Sequence, residues 1–317
     1  MKVARVLSLG LSAMASVSRA SSSEMPGLNP MLGLQRLAAV PGSAPEKVND
    51  LLLLRPRAPA EPEPAGSSRH AVFFHGDIQN FQDEMSQQSD AAPWLRWSLE
   101  QVALTLSSRF PDHHVWVVRA SRMYLHKFSC YHNFVQSNMF GAPEHSEYPE
   151  ESGLGAFHHL RNLLSHGMRR AELAAPLLPP EGAVPAGFSL ALVGFSKGCV
   201  VLNQLVYELA GARADQQMAP FVRSISDMFW LDGGHPGGSE TWVTDKPALS
   251  SLATSGVRVH AHVTPYEVCD PMRAWVGREH AHFIQTLEEL GASPQNTVHF
   301  ADEPPSISNH FRVLLEF

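Results

Sequence analysis

From Arg69 onward, short apolar runs alternate with longer stretches whose apolar positions recur every three or four residues. The short runs are HAVFF (70–74), HVWVVRA (114–120), FSLALV (188–193), SISDMFWLD (224–232), VRVHAHV (257–263) and NTVHF (296–300). Their length and their Val, Phe and Trp content suit strands buried on both faces. Between them, Leu95, Leu99, Val102 and Leu106 predict a helix that Pro111 stops. Residues 154–170 predict a second helix, and Lys197 to Ala210 a third, closed by Gly211. A short helix is expected over 246–255. Met272, Trp275, Val276, Phe283, Ile284, Leu287 and Leu290 mark a long one, and a last helix begins near Asn309. Strands alternating with helices predict an α/β fold, a mostly parallel sheet with helices on both faces. In such sheets ligands bind beyond the carboxyl ends of the strands.

The pattern is weaker elsewhere. Val48 to Leu54 reads as one early strand, and PRAPAEPEPAGSS (56–68) as a linker that cannot pack. Residues 25–68 are therefore expected to be an N-terminal extension, and 69–317 the domain proper. Leu173 to Gly187, with four prolines, is expected to be a loop. Residues 121–150 show no period but are rich in aromatics, His and Asn. Within 121–145, Met123, Tyr124, Phe128, Tyr131, Phe134, Met139 and Phe140 suit a cover over a site or a docking surface for a protein partner. Long irregular segments inside a compact domain are usually functional. Residues 1–24 carry Lys2, Arg5 and Arg19, many serines and no acidic residue before Glu24, which predicts a mitochondrial transit peptide. The competing expectation is a secretory signal, from the moderately apolar Val6 to Val17 and Ser18-Arg19-Ala20.

At 44% hydrophobic and 17% charged residues, the chain can bury a substantial core. Its net charge of −7, with scattered Lys and Arg, offers no field for nucleic acid. Cys130, Cys199 and Cys269 are too few and too far apart for a disulfide framework and suit a reducing compartment. No run of 18 apolar residues occurs, so no transmembrane segment is expected.

The chemistry concentrates after the strands. FSLALV leads into Gly194-Phe195-Ser196-Lys197-Gly198 and then into a helix. A turn that sharp crowds the positions two either side of its apex, so glycine suits both. The apex residue is strained, and its side chain stands above the sheet. Ser196 is the candidate nucleophile. The Lys197 N–H lies at the helix start, where it suits an oxyanion. The loop after the first mapped strand, His75-Gly76-Asp77, is expected to supply a second donor from the backbone N–H of Gly76 or Asp77. In this fold class the order is serine, acid, histidine. His310 follows the last strand and is the candidate base. Asp270, in the loop after the penultimate strand, is expected to be the acid that orients it, with Asp232 as the alternative and Glu267 a third candidate. Such a site calls for no cofactor. His260 and His262 share a strand face, but with no third ligand they read as a packed pair rather than a metal site.

This arrangement resembles the α/β-hydrolase superfamily across residues 70–317. The phrases LHKFSCYHNFVQSNMFGAPEH, GFSKGCVVLNQL, WLDGGHPGGS, HVTPYEVCDPMR and SNHFRV also resemble the vertebrate mitochondrial family labelled chromosome 2 open reading frame 69. That resemblance implies a mitochondrial address, with the matrix as the expected compartment, and a serine-hydrolase-like domain. It implies Ser196, His310 and the Asp270 region as family positions. Two functional expectations follow. One is an esterase, thioesterase or lipase type of hydrolase acting on a small acyl or lipid-like substrate, in support of respiratory-chain function. The other is a non-catalytic hydrolase fold that binds a mitochondrial partner.

Overall fold

The computed structural model describes residues 33–56, 68–138, 142–149, 154–173, 184–185 and 187–317. The transit-peptide expectation for 1–24, most of the linker, and Met139 and Phe140 lie outside the described residues.

Eight strands form the main sheet: β1 (Leu34–Pro41), β2 (Val48–Leu54), β3 (Ser68–Phe74), β4 (His113–Val118), β9 (Phe188–Phe195), β10 (Ile225–Leu231), β11 (Arg258–Val263) and β12 (Gln295–Val298). Two small ribbons pair β5 (Arg122–Tyr124) with β6 (Phe128–Cys130), and β7 (Gln136–Ser137) with β8 (Pro143–Glu144). The helices are α1 (Gln82–Ser86), α2 (Leu99–Arg109), α3 (Ala156–Arg170), α4 (Cys199–Ala214), α5 (Ala219–Arg223), α6 (Lys246–Ala253), α7 (Pro265–Val268), α8 (Ala274–Glu289) and α9 (Ile307–Glu316).

The sheet order is β1-β2-β4-β3-β9-β10-β11-β12. From β4 to β12 every neighbouring pair is parallel, whereas β2 runs antiparallel to both β1 and β4. Strand alternation divides the core. Val72 and Phe74 face one side with Trp116, Val118 and the buried faces of α3, α4, α5, α6 and α8. Ala71 and Phe73 face the other with Val115, Val117, α2 and α9. Period-2 strands thus cover both faces with apolar side chains, and each face takes helices. This is the mostly parallel α/β sheet, with helices on both faces, that the strand–helix alternation predicts.

Four details differ from expectation. The early strand expected over Val48 to Leu54 is β2, and an unexpected β1 pairs with it to add an antiparallel edge that begins at Leu34. Leu95 lies in a separate 3-10 turn (Ala92–Trp97), since Ser98 is extended (φ −57°, ψ 159°) and caps α2 by accepting from the Gln101 N–H. α4 passes through Gly211 and ends at Ala214, so that glycine does not close the helix. Within 121–150, β5 to β8 form the two ribbons where no regular structure is expected.

Candidate active site

Ser196 sits between the last residue of β9 and the first turn of the helix that continues as α4. Phe195 is still extended, whereas Ser196 has φ 52°, the left-handed region that costs an L-residue energy. The turn is tight because the helix start packs on the end of β3. A Cβ on Gly198 would collide with the Phe74 carbonyl oxygen. On the other side, a Cβ on Gly76 would lie 2.7 Å from the Ser196 Cβ. Only glycine lets the β3 loop come this close to the serine.

That loop is held from three directions. The Gly76 N–H donates to Gln79 Oε1 (2.9 Å), and Gln79 Nε2 donates to the Trp97 carbonyl (3.0 Å). His75, fully buried, donates from Nδ1 to the Gly76 carbonyl (2.7 Å) and accepts the Ala120 N–H on Nε2 (3.0 Å). Burial lowers its pKa to about 4, so it is a neutral strut at physiological pH. Tyr131 donates its hydroxyl to the His75 carbonyl (2.9 Å). Of the two expected donors, Gly76 has its N–H committed to Gln79. The Asp77 N–H is the loop's remaining candidate to face an oxyanion alongside Lys197.

His310 lies in the first turn of α9, buried, with its ring against Phe195 (centroids 4.7 Å apart) and Tyr266 (5.2 Å). Its Nδ1 bonds Asp232 Oδ2 at 2.7 Å. Asp232 is the residue just beyond β10, fully buried and itself left-handed (φ 46°). It accepts the Thr264 N–H on Oδ1 and the Thr264 hydroxyl on Oδ2, both at 2.6 Å. The carboxylate that bonds His310 is thus that of Asp232, the alternative, and not that of Asp270, where it was expected. Asp270 caps the turn that begins α8, accepting from the Met272 N–H and from Arg273 Nε, both at 2.8 Å, and does not bond His310. Both aspartates follow strands, but only Asp232 stands at the centre of the sheet, next to β9.

Glu267, from α7, stands 3.9 Å from His310 Nδ1 and bonds Arg273 (2.8 Å). Burial raises its pKa to about 7, although the His310 charge opposes that. For His310, burial alone would lower the pKa. The Asp232 bond and charge, helped by Glu267, outweigh it and leave the imidazole raised above 6.5. With Nδ1 engaged by a carboxylate, Nε2 is the ring nitrogen left for proton transfer.

Sequence reasoning missed Gln79 and Thr264, which hold the loop and the acid. The one available signal was their position just after β3 and β11. His260 and His262 are absorbed by packing and hydrogen bonds: His260 bonds Asp227 and Gln295, and His262 bonds His299. Among the described residues no group of three or more His, Cys, Asp and Glu could hold a metal ion. Among them, too, no helix is long and apolar enough to cross a membrane.

A cavity of about 600 Å³ reaches Lys197, the residue after the serine, its lining also including Asp77, Arg122, Tyr124, Phe128 and Pro236. The ribbon β5–β6 forms its wall. This ribbon is tied to the β3 loop by the Ile78 N–H to the Lys127 carbonyl (2.7 Å) and by the Ser129 N–H and hydroxyl to Asp77 Oδ1 (2.8 and 2.9 Å).

A family model described as C2orf69 matches residues 36–177 and 180–293. The zebrafish (Danio rerio) "Mitochondrial protein C2orf69 homolog" is 63% identical over 297 residues, covering 90% of this chain and 86% of that one. The human "Mitochondrial protein C2orf69" is 41% identical over 333 residues, covering 88% and 85%. Among solved structures, a thermostable esterase aligns at 12% identity with a TM-score of 0.42, covering 89% of this chain and 57% of that one.

Proposed function

The chain belongs to the C2orf69 family, and on that premise we propose that it is a mitochondrial serine hydrolase of the esterase, thioesterase or lipase type. The relatives' naming as mitochondrial proteins supports the address, with residues 1–24 as the transit segment and the matrix as the destination. Ser196 Oγ attacks an acyl carbonyl while His310 Nε2 takes its proton. Asp232 holds the imidazole through Nδ1 and stabilises the imidazolium that forms. The Lys197 and Asp77 N–H groups stabilise the tetrahedral oxyanion, each such donor being worth about 3–4 kcal/mol. His310 then protonates the leaving group, and water, deprotonated by the same imidazole, releases the acid. No cofactor enters this scheme.

The observation that carries the reading is the pairing of a left-handed serine at a strand-to-helix turn with the buried His310–Asp232 bond of 2.7 Å. The test is hydrolysis of p-nitrophenyl butyrate by the purified protein. Ser196→Ala is expected to lower the rate by about 10³-fold or more. An unchanged rate in that variant defeats the proposal. In cells lacking the native protein, Ser196→Ala is expected not to restore respiration. Full rescue would instead favour the non-catalytic, partner-binding role.

A further inference from the structure

We propose that the cavity lined by Lys197 and Arg122 binds an amphiphile with an anionic group, an apolar chain bearing a carboxylate or a phosphate, through these two cations. As a statement of substrate class this rests on the hydrolase reading; as a statement of binding it stands alone.

The cavity's volume of about 600 Å³ is within the roughly 300–1,000 Å³ range of small-molecule sites. Its lining is divided in chemistry. Tyr124, Phe128 and Pro236 offer an apolar surface for a chain. Lys197 and Arg122 are cations, and Asp77 is the one carboxylate among the described lining residues. In a chain of net charge −7 this cavity carries an excess of positive charge.

The two cations differ in setting. Lys197 follows the nucleophile directly and is only 5% exposed. A lysine buried that far needs a counter-charge. Asp77 supplies it: burial pulls the Lys197 pKa down, and the Asp77 charge opposes the fall. Asp77 in turn is fixed by the two Ser129 bonds to Oδ1. Arg122 is exposed on β5, at the mouth. Between Asp112 and Glu144 the chain holds no acidic residue but carries Arg119, Arg122 and Lys127. The segment that builds the wall therefore brings positive charge and no carboxylate of its own. A ligand entering with its chain against Tyr124 and Phe128 meets Arg122 first and Lys197 next to Ser196. A planar guanidinium and an ammonium together suit carboxylate or phosphate oxygens.

The test is calorimetric titration of full-length Ser196→Ala protein, which needs no turnover. Octanoate and octyl phosphate are the anionic probes and octyl glucoside the neutral one, all below their micelle concentrations. Both anions are expected to bind at least about tenfold tighter than the glucoside. A preference for only one of them identifies the group as carboxylate or phosphate. In the Arg122→Gln background, an exposed change with little bearing on folding, the anion preference is expected to fall several-fold. Equal affinity for the neutral probe, no binding of any probe, or a preference untouched by Arg122→Gln overturns the proposal. Anion-selective binding by a protein whose wild type hydrolyses nothing would keep the site and sink the hydrolase reading.

Discussion

At His310, burial and charge pull in opposite directions, and the Asp232 carboxylate wins. A general base works only when neutral, and its folded pKa lies above 6.5. The hydrolysis rate is therefore expected to fall, as pH drops, along a limb centred above 6.5. A kcat/KM profile checks this, and a limb well below 6.5 contradicts it. The same shift acts in the opposite sense on stability. The charged His310–Asp232 pair favours the folded state below pH 6.5, and that contribution is lost as pH rises through the folded pKa. The choice between the two aspartates is tested as sharply. Asp232→Asn is expected to lower kcat by about 10⁴-fold, the cost of presenting the wrong imidazole tautomer. Asp270→Asn, which alters only a turn cap and the Arg273 pair, is expected to leave kcat within about twofold.

The elements that carry these residues were legible where periodicity is strong. β3, β9, β10 and β11 are buried on both faces, so they stand out as apolar runs. β1 did not. Only Leu37 and Val40 are buried in it, and the register shifts between them, with Ala39 at φ 48°. A bulged edge strand leaves no alternation to read. The positions of Ser196, at a strand-to-helix turn, and of His310, at the start of α9, were legible because each stands where one period gives way to another. The partner of His310 was not, since both aspartates follow strands and only the folded chain brings one of them, Asp232, to its Nδ1. Long-range caps were equally invisible. Glu208, inside α4, accepts the Ala156 and Phe157 N–H groups (2.8 and 3.1 Å) and so caps α3 across 52 and 51 residues. Glu208→Ala is expected to cost about 2–3 kcal/mol, because it leaves two buried donors unpaired. Urea denaturation measures this; a loss under about 0.5 kcal/mol would mean water replaces the carboxylate.

Across the whole molecule, the strand ends gather what the chain scatters. Residues 76–77, 196–197, 232, 264 and 310 converge because β3, β9, β10 and β11 are adjacent and parallel, and α9 brings His310 to Asp232. The ribbon from the aperiodic segment joins them through the Ile78 and Asp77 bonds. That segment, expected as a cover or a docking surface, lines the cavity that reaches Lys197. On the proposed reading this convergence activates Ser196. Labelling of the purified protein with a fluorophosphonate probe, read by mass spectrometry, beside Ser196→Ala and His310→Ala, tests that activation. Adduct is expected on Ser196 alone, abolished in the first variant and slowed at least about 100-fold in the second. A folded wild type that takes no label, or label that persists in Ser196→Ala, would contradict it.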